Sequence, residues 1–298
     1  MTPFRLRRRI PLIRPPFLQR VFARQKTEEL RTRGAEHDAL ISRKRTQVAE
    51  RESGIESETQ VSPVETLKSE IDYETHARAC DPKDFQSQVL RTPNGKPVGQ
   101  DQVDWIIDAI AKGIAIAPDD VVLDLCCGNG AITDPILARC RGGVGVDRSP
   151  YLISVANANF ERPPDRLYRL SDALEYVQTT ADTDRITKVM CYGAFQCLPE
   201  ETAAGVLLAL RRRFPRVQRV FIGNLPDLSR AGIFWRELGS EPWSLHDLKR
   251  HDTHFGTWRT EDEVTKIATA SGWCTEISRM PAAYFAAAYR FDAILTPL

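Results

Sequence analysis

The sequence predicts a doubly wound α/β domain, built on a mostly parallel seven-stranded sheet with an antiparallel C-terminal edge strand. Three observations carry this. Short apolar runs alternate with stretches of helical periodicity. One strand runs directly into a glycine turn and a helix. The last two apolar runs have no helix between them, so they pair antiparallel, whereas the strand–helix–strand units before them require parallel neighbours.

Order begins near Phe85. Residues 100–113 form an amphipathic helix with Val103, Ile106, Ile107 and Ile110 on one face. Val121-Val-Leu-Asp-Leu125 is a short apolar strand ending in Cys-Gly-Asn-Gly. A helix over 131–139 follows, then a strand at 143–146 and a helix at 151–160. Residues 167–170 and 189–192 are the next strands, and 200–214 is a helix. Strand 219–223, helix 261–271 and strands 274–278 and 289–296 complete the seven-strand set.

Residues 1–78 read differently. Prolines 3, 11, 15 and 16 break any long helix in the first segment. The stretch that follows is charge-rich, with few large apolar residues to offset chain entropy. It is expected to be largely disordered or partly helical, and 79–298 to be the folded domain.

The chain has 298 residues, 42% hydrophobic and 27% charged, which suits a soluble protein with a sizeable core. No uncharged run reaches the roughly 18 residues a membrane helix needs. No apolar signal-peptide core follows Met1, so a cytoplasmic location is expected. The seven cysteines form no C-x-x-C pair, which argues against a zinc ribbon or a disulfide framework. The formal net charge is +1, but it is unevenly distributed. Residues 1–27 hold seven arginines and Lys26 with no acid, a charge of +8, while 28–80 carry −4 and 81–298 carry −3. The domain itself therefore lacks the basic balance of a nucleic-acid binder.

The strand–glycine–helix turn is where chemistry concentrates. Gly128 and Gly130 permit close backbone approach, and the helix after them presents unpaired N–H groups. By itself this is also an ordinary strand–helix connection. The next strand ends at Asp147, where a carboxylate can accept hydrogen bonds from ribose hydroxyls or cap the helix after it. A dinucleotide fingerprint needs a third glycine, and Thr133 stands in its place. Asp124 before the turn repels phosphate and suits a ligand bearing positive charge or a free amine. No phosphate-cradling G-x-x-x-x-G-K-[ST] sequence is present.

Asp124-Leu-Cys-Cys-Gly-Asn-Gly130 resembles the first motif of class I S-adenosylmethionine-dependent methyltransferases. Asp147 matches the acid that ends their second strand, Ser171-Asp172-Ala173 their third motif, and Tyr192-Gly-Ala-Phe-Gln-Cys-Leu-Pro199 their fourth. The resemblance spans about 101–298. It departs at Cys126, where many members have glycine. It implies S-adenosylmethionine as co-substrate. Asp124 and the backbone of Cys126, Gly128, Asn129 and Gly130 would cradle its methionine part. Asp147 would hold the ribose, Asp172 the adenine amine, and Ala173 would lie beside the ring. Tyr192 and Phe195 would line the crevice, with plain core packing as the other reading.

Methyl transfer relies mainly on positioning, and a general base adds about 10²–10⁴-fold where the acceptor must lose a proton. A segment at about 227–259 would cover the acceptor, and its His254 and His251 are the candidate bases. His246, His251 and His254 with Asp247 and Asp252 fit no standard metal-ligand spacing, so no metal is expected. The usual [Asn/Asp]-Pro-Pro-aromatic sequence of DNA amino-methyltransferases is absent after the fourth strand, which disfavours duplex DNA. The basic arm 1–27 is compatible with an anionic membrane surface, with a transit peptide or with a solvated tail. The expected activity is methylation, at oxygen, of a small-molecule or glycan-like acceptor. An RNA methyltransferase gripping with the arm, and a non-catalytic S-adenosylmethionine-binding regulator, are the alternatives.

Overall fold

A computed structural model of the chain describes Leu67 and residues 71–298. The expectations for the arm 1–27, and for nearly all of the charged stretch after it, lie outside the described residues. The strands are β1 (Val121–Leu125), β2 (Gly142–Asp147), β3 (Arg166–Leu170), β4 (Lys188–Tyr192), β5 (Arg219–Pro226), β6 (Trp273–Ser278) and β7 (Arg290–Pro297). They form one sheet in the order β3-β2-β1-β4-β5-β7-β6. The first five are mutually parallel, and β7 runs antiparallel to both β5 and β6. The reversed strand is thus the inner member of the C-terminal pair, and β6 forms the edge.

Two apolar layers sandwich the sheet. Val121, Leu123 and Leu125 of β1 enter a core with α6 (Ala173–Thr179), α7 (Glu200–Arg213) and α10 (Glu261–Ala270). Val122 points the other way, to α3 (Gln100–Gly113) and α4 (Thr133–Leu137). Strand alternation then places Asp124 on the side of Val122. Helix α3 buries Val103, Ile106, Ile107 and Ile110, the face its sequence period selects. At roughly 1.5–3 kcal/mol each, those four side chains anchor the helix on the sheet. Helix α10 starts at a capping box, in which Thr260 and Glu263 satisfy each other's backbone N–H groups.

Some elements differ from expectation for local reasons. Helix α4 is only five residues long, and Pro135 sits in its first turn, where no N–H is required. Helix α5 (Pro150–Phe160) is capped by Ser149, whose side chain accepts from the Leu152 N–H, so Asp147 is not the cap. Strand β5 continues to Pro226 through an irregularity between Ile222 and Leu225, where Asn224 takes a φ of +65°. The folded unit also reaches further toward the N-terminus than residue 79. Helix α1 (Tyr73–Ala79) docks on α5 through Glu74, which accepts from the Ser149 hydroxyl and from the Tyr151 N–H at 3.1 Å. Helix α2 (Phe85–Gln88) follows, and Phe85 stacks edge-on against Phe160 at 5.3 Å.

Between β5 and α10 lie α8 (Ala231–Leu238) and the single turn α9 (Leu245–Leu248). Phe234 packs against Trp235, Phe255, Trp258 and Tyr289, with ring centroids 4.9–5.4 Å apart. Trp235 and Trp258 are fully buried. The aromatic residues of this segment therefore build core, and an Asp227–Arg259 bridge closes its base.

Candidate active site

In strand order, the chain reverses direction of travel across the sheet between β1 and β4, and the crevice at their C-terminal ends is the binding place such sheets provide. The loop after β1 lines it. Cys126, Gly128 and Gly130 all adopt positive φ, at +60°, +58° and +81°. For Cys126 this conformation costs about 1–2 kcal/mol relative to glycine, which gives the sequence departure a physical meaning. The loop is pinned from β2: the Cys127 N–H donates to the Val146 carbonyl at 3.0 Å, and the Gly128 N–H to Asp147 Oδ2 at 2.8 Å. Asp147 Oδ1 accepts from the Ser149 N–H at 2.9 Å.

Asp124 is 3% exposed, and Thr133 Oγ1 donates to it at 2.6 Å. Thr133, which spoils a dinucleotide fingerprint, is therefore the hydroxyl that holds this acid. Burial raises the Asp124 carboxyl to about 7, helped by the Asp147 charge and opposed by Thr133 and Arg91. Asp147 is likewise raised, chiefly by burial, against its two backbone hydrogen bonds.

Other expected residues have different surroundings. The Asn129 side chain donates to the Phe85 carbonyl at 2.8 Å and to Gln88 Oε1 at 2.9 Å, so it clasps α2. A Cβ on Gly130 would sit 2.9 Å from the Tyr168 ring, so this glycine is required by packing as well as by φ. Asp172 caps α6, with Oδ1 accepting from Leu174 and Glu175 N–H groups at 2.8 and 3.1 Å. Ala173 and Phe195 both turn into the core; Phe195 is 2% exposed, so core packing accounts for it. Tyr192 stays at the crevice, with its hydroxyl 2.7 Å from that of Tyr284. The hydrogen bond with Cys191 and then burial raise the Cys126 thiol, and burial raises that of Cys127, which keeps both protonated and poor nucleophiles.

The two histidines separate. His251 is exposed on the insert, beside the Arg250–Asp252 ion pair. His254 turns inward beside Phe255, and burial, His76 and Arg290 lower it to about 4. It is neutral at pH 7 but a weak base, because its conjugate acid loses the proton so readily.

Several polar residues in or beside the crevice carry no sequence motif. Arg91 follows α2, donates to Gln86 Oε1 at 2.6 Å, and lies within electrostatic reach of Tyr192, Tyr284 and Asp124. Tyr73 of α1 reaches the Cys197 thiol. Arg290 donates to the Asn224 carbonyl at 2.6 Å, while the Asn224 N–H donates to Asp292 at 2.7 Å.

A glycine loop thus lies between one buried and one half-buried acid at the switch point of this α/β sheet. Comparison with known proteins narrows this class of fold. Residues 122–214 match the family model of a methyltransferase domain. An uncharacterized methyltransferase of Schizosaccharomyces pombe is 43% identical over 47 residues, which are 16% of this chain and 18% of that protein. A solved S-adenosylmethionine-dependent methyltransferase from Anabaena variabilis aligns with a TM-score of 0.50 at 16% identity, covering 73% of this chain and 93% of its own. Magnesium protoporphyrin IX methyltransferase from Synechocystis aligns at 0.48 and 16% identity, covering 67% and 83%. Residues 122–214 thus match a methyltransferase-domain family, and the sheet with its helices is the fold of the solved S-adenosylmethionine-dependent enzyme from Anabaena variabilis.

Proposed function

We propose that this chain binds S-adenosylmethionine in the β1–β4 crevice and transfers its methyl group to an oxygen of a small-molecule or glycan-like acceptor. The observation that carries the reading is the buried Asp124 carboxyl at the end of β1, held by the Thr133 hydroxyl, with the Arg91 guanidinium within electrostatic reach. An acid and a guanidinium that line one crevice complement an α-amino acid, one pairing with the ammonium and the other with the carboxylate. Asp147 has both oxygens fixed by backbone N–H groups, and its remaining lone pairs suit two ribose hydroxyls. Asp172 Oδ2 is left for an exocyclic amine after Oδ1 has capped α6.

S-adenosylmethionine supplies a methyl group already activated by a sulfonium cation. The protein's share is to hold and desolvate. Asp124 and Asp147 favour positive charge in the crevice, α1 and α2 cover it, and Tyr192 with Tyr284 closes one side. The slightly acidic domain supports a small acceptor over a polyanion.

Titration of the full chain with S-adenosylmethionine and with its decarboxylated analogue tests the reading. Arg91 should make the parent bind about 10- to 100-fold tighter than the analogue, and Arg91→Gln should erase that difference. Absence of binding to either compound overturns it. Binding without methyl transfer to any extract component would favour the regulator, and RNA labelling with a steep salt dependence the RNA enzyme.

A further inference from the structure

Beside the cofactor crevice, a second set of groups gathers at the ends of β4 and β5. Cys197 lies at its centre, in the short turn Phe195–Cys197 after β4. Tyr73 of α1 reaches its thiol, and the charges of Arg290, Arg148 and Arg259 act there or at its neighbours. Arg290, the first residue of β7 and paired there with Pro226 at the end of β5, lies within electrostatic reach of Tyr73, Cys197, His254 and Tyr284. Its one hydrogen bond is to a backbone carbonyl, and among the described residues no carboxylate pairs with it. Arg259 is 2% exposed, and its Nε and Nη1 are buried without a hydrogen-bond partner. Leaving a guanidinium buried and unpaired costs several kcal/mol, a cost offset where an anion binds beside it. The acids near Arg259 are engaged or peripheral: Glu263 accepts from Lys249 at 2.6 Å, and Glu200 is exposed in the first turn of α7.

We propose that the guanidiniums of Arg290 and Arg259, which the Pro226–Arg290 and Asp227–Arg259 backbone pairings bring to the same end of β5, bind the carboxylate of the acceptor, and that this carboxylate is the group methylated. The inference rests on the S-adenosylmethionine reading above and names the acceptor class. The step balances without a base. A carboxylate oxygen forms a bond to the methyl carbon, the carbon–sulfur bond breaks with its electron pair going to sulfur, and a methyl ester and a neutral thioether result. The sulfonium's positive charge and the carboxylate's negative charge cancel, and no proton is released. A hydroxyl acceptor would need its proton removed, and the inward-facing His254 is a weak base. Asp292, the other buried acid here, is held by the Asn224 N–H.

The experiment uses the full chain, labelled S-adenosyl-[methyl-³H]methionine and the low-molecular-weight fraction of a native extract. Product is treated with mild alkali, which releases a carboxylate methyl ester as volatile methanol but leaves ethers, methylamines and methyl phosphates intact. Alkali-labile, volatile label supports the proposal, and alkali-stable label overturns it. Binding of S-adenosylmethionine is measured in parallel: its absence overturns the underlying reading, whereas binding with only alkali-stable product overturns the carboxylate alone. Arg290→Gln should raise the amount of acceptor fraction needed for half-saturation by about 10- to 100-fold, with S-adenosylmethionine affinity unchanged, and Arg290→Lys should recover part of it. An unchanged half-saturation in Arg290→Gln also overturns the proposal.

Discussion

Asp124→Asn should make the protein more stable in alkali while weakening its cofactor site. The folded carboxyl titrates near 7, against 3.8 when solvated. A group raised on folding contributes stability that is full below its unfolded value and lost as pH rises through its folded value. Native stability should therefore fall from about pH 4 to about pH 7 on account of this residue. At about 1.4 kcal/mol per pH unit, the fall between pH 5 and pH 8 is about 2–3 kcal/mol. An asparagine keeps an oxygen to accept from Thr133 and cannot ionise. Denaturant unfolding of both proteins at pH 5 and pH 8 isolates the effect, because Asp147 and Asp292, also raised by burial, are common to both. The variant's stability advantage should grow by about 2–3 kcal/mol between the two pH values. Calorimetric titration of the same variant should show weaker S-adenosylmethionine binding. An advantage that does not change with pH would refute the reasoning that this acid is buried at a cost for the ligand's sake.

Other perturbations test neighbouring parts of the account. Gly130→Ala forces a Cβ against Tyr168 at a φ of +81°, and should lower unfolding stability by about 1–3 kcal/mol in chemical denaturation. Phe195→Ala should lose about 3–5 kcal/mol of stability with S-adenosylmethionine affinity changed less than threefold, since the ring is core. A large affinity loss would instead place it in the site. Glu74→Ala removes the bonds that dock α1 on Ser149 and Tyr151, so limited proteolysis should cut within residues 71–80 faster, and saturating S-adenosylmethionine should restore protection.

The sheet was legible because β1, β2 and β4 are short apolar runs separated by helices with a clear period, and burial of both faces leaves no other arrangement. The acids Asp124 and Asp147 were legible because strand ends and glycine turns fix where their carboxylates can go. Ala173 and Phe195 were not, because a residue flanking a motif can face the crevice or the core, and only the helix that follows decides. His251 and His254 are three residues apart in a loop without period, so sequence could not tell the exposed one from the half-buried one. Arg91, Tyr73 and Arg290 come from a segment before the sheet and from the last strand. They meet the site only through tertiary packing, and no spacing encodes it. The segment 227–259 was expected to cover the acceptor; its Trp235, Trp243 and Trp258 are core residues, which the sequence did not show.

The central claim is that the crevice between β1 and β4 holds S-adenosylmethionine through Asp147 and the loop it pins. Equilibrium titration of the native full chain and of Asp147→Ala tests it most directly. The account predicts saturable one-to-one binding by the native protein, weakened at least tenfold in the variant, whose circular dichroism stays native. Equal binding by both proteins, or none by the native chain, would contradict it.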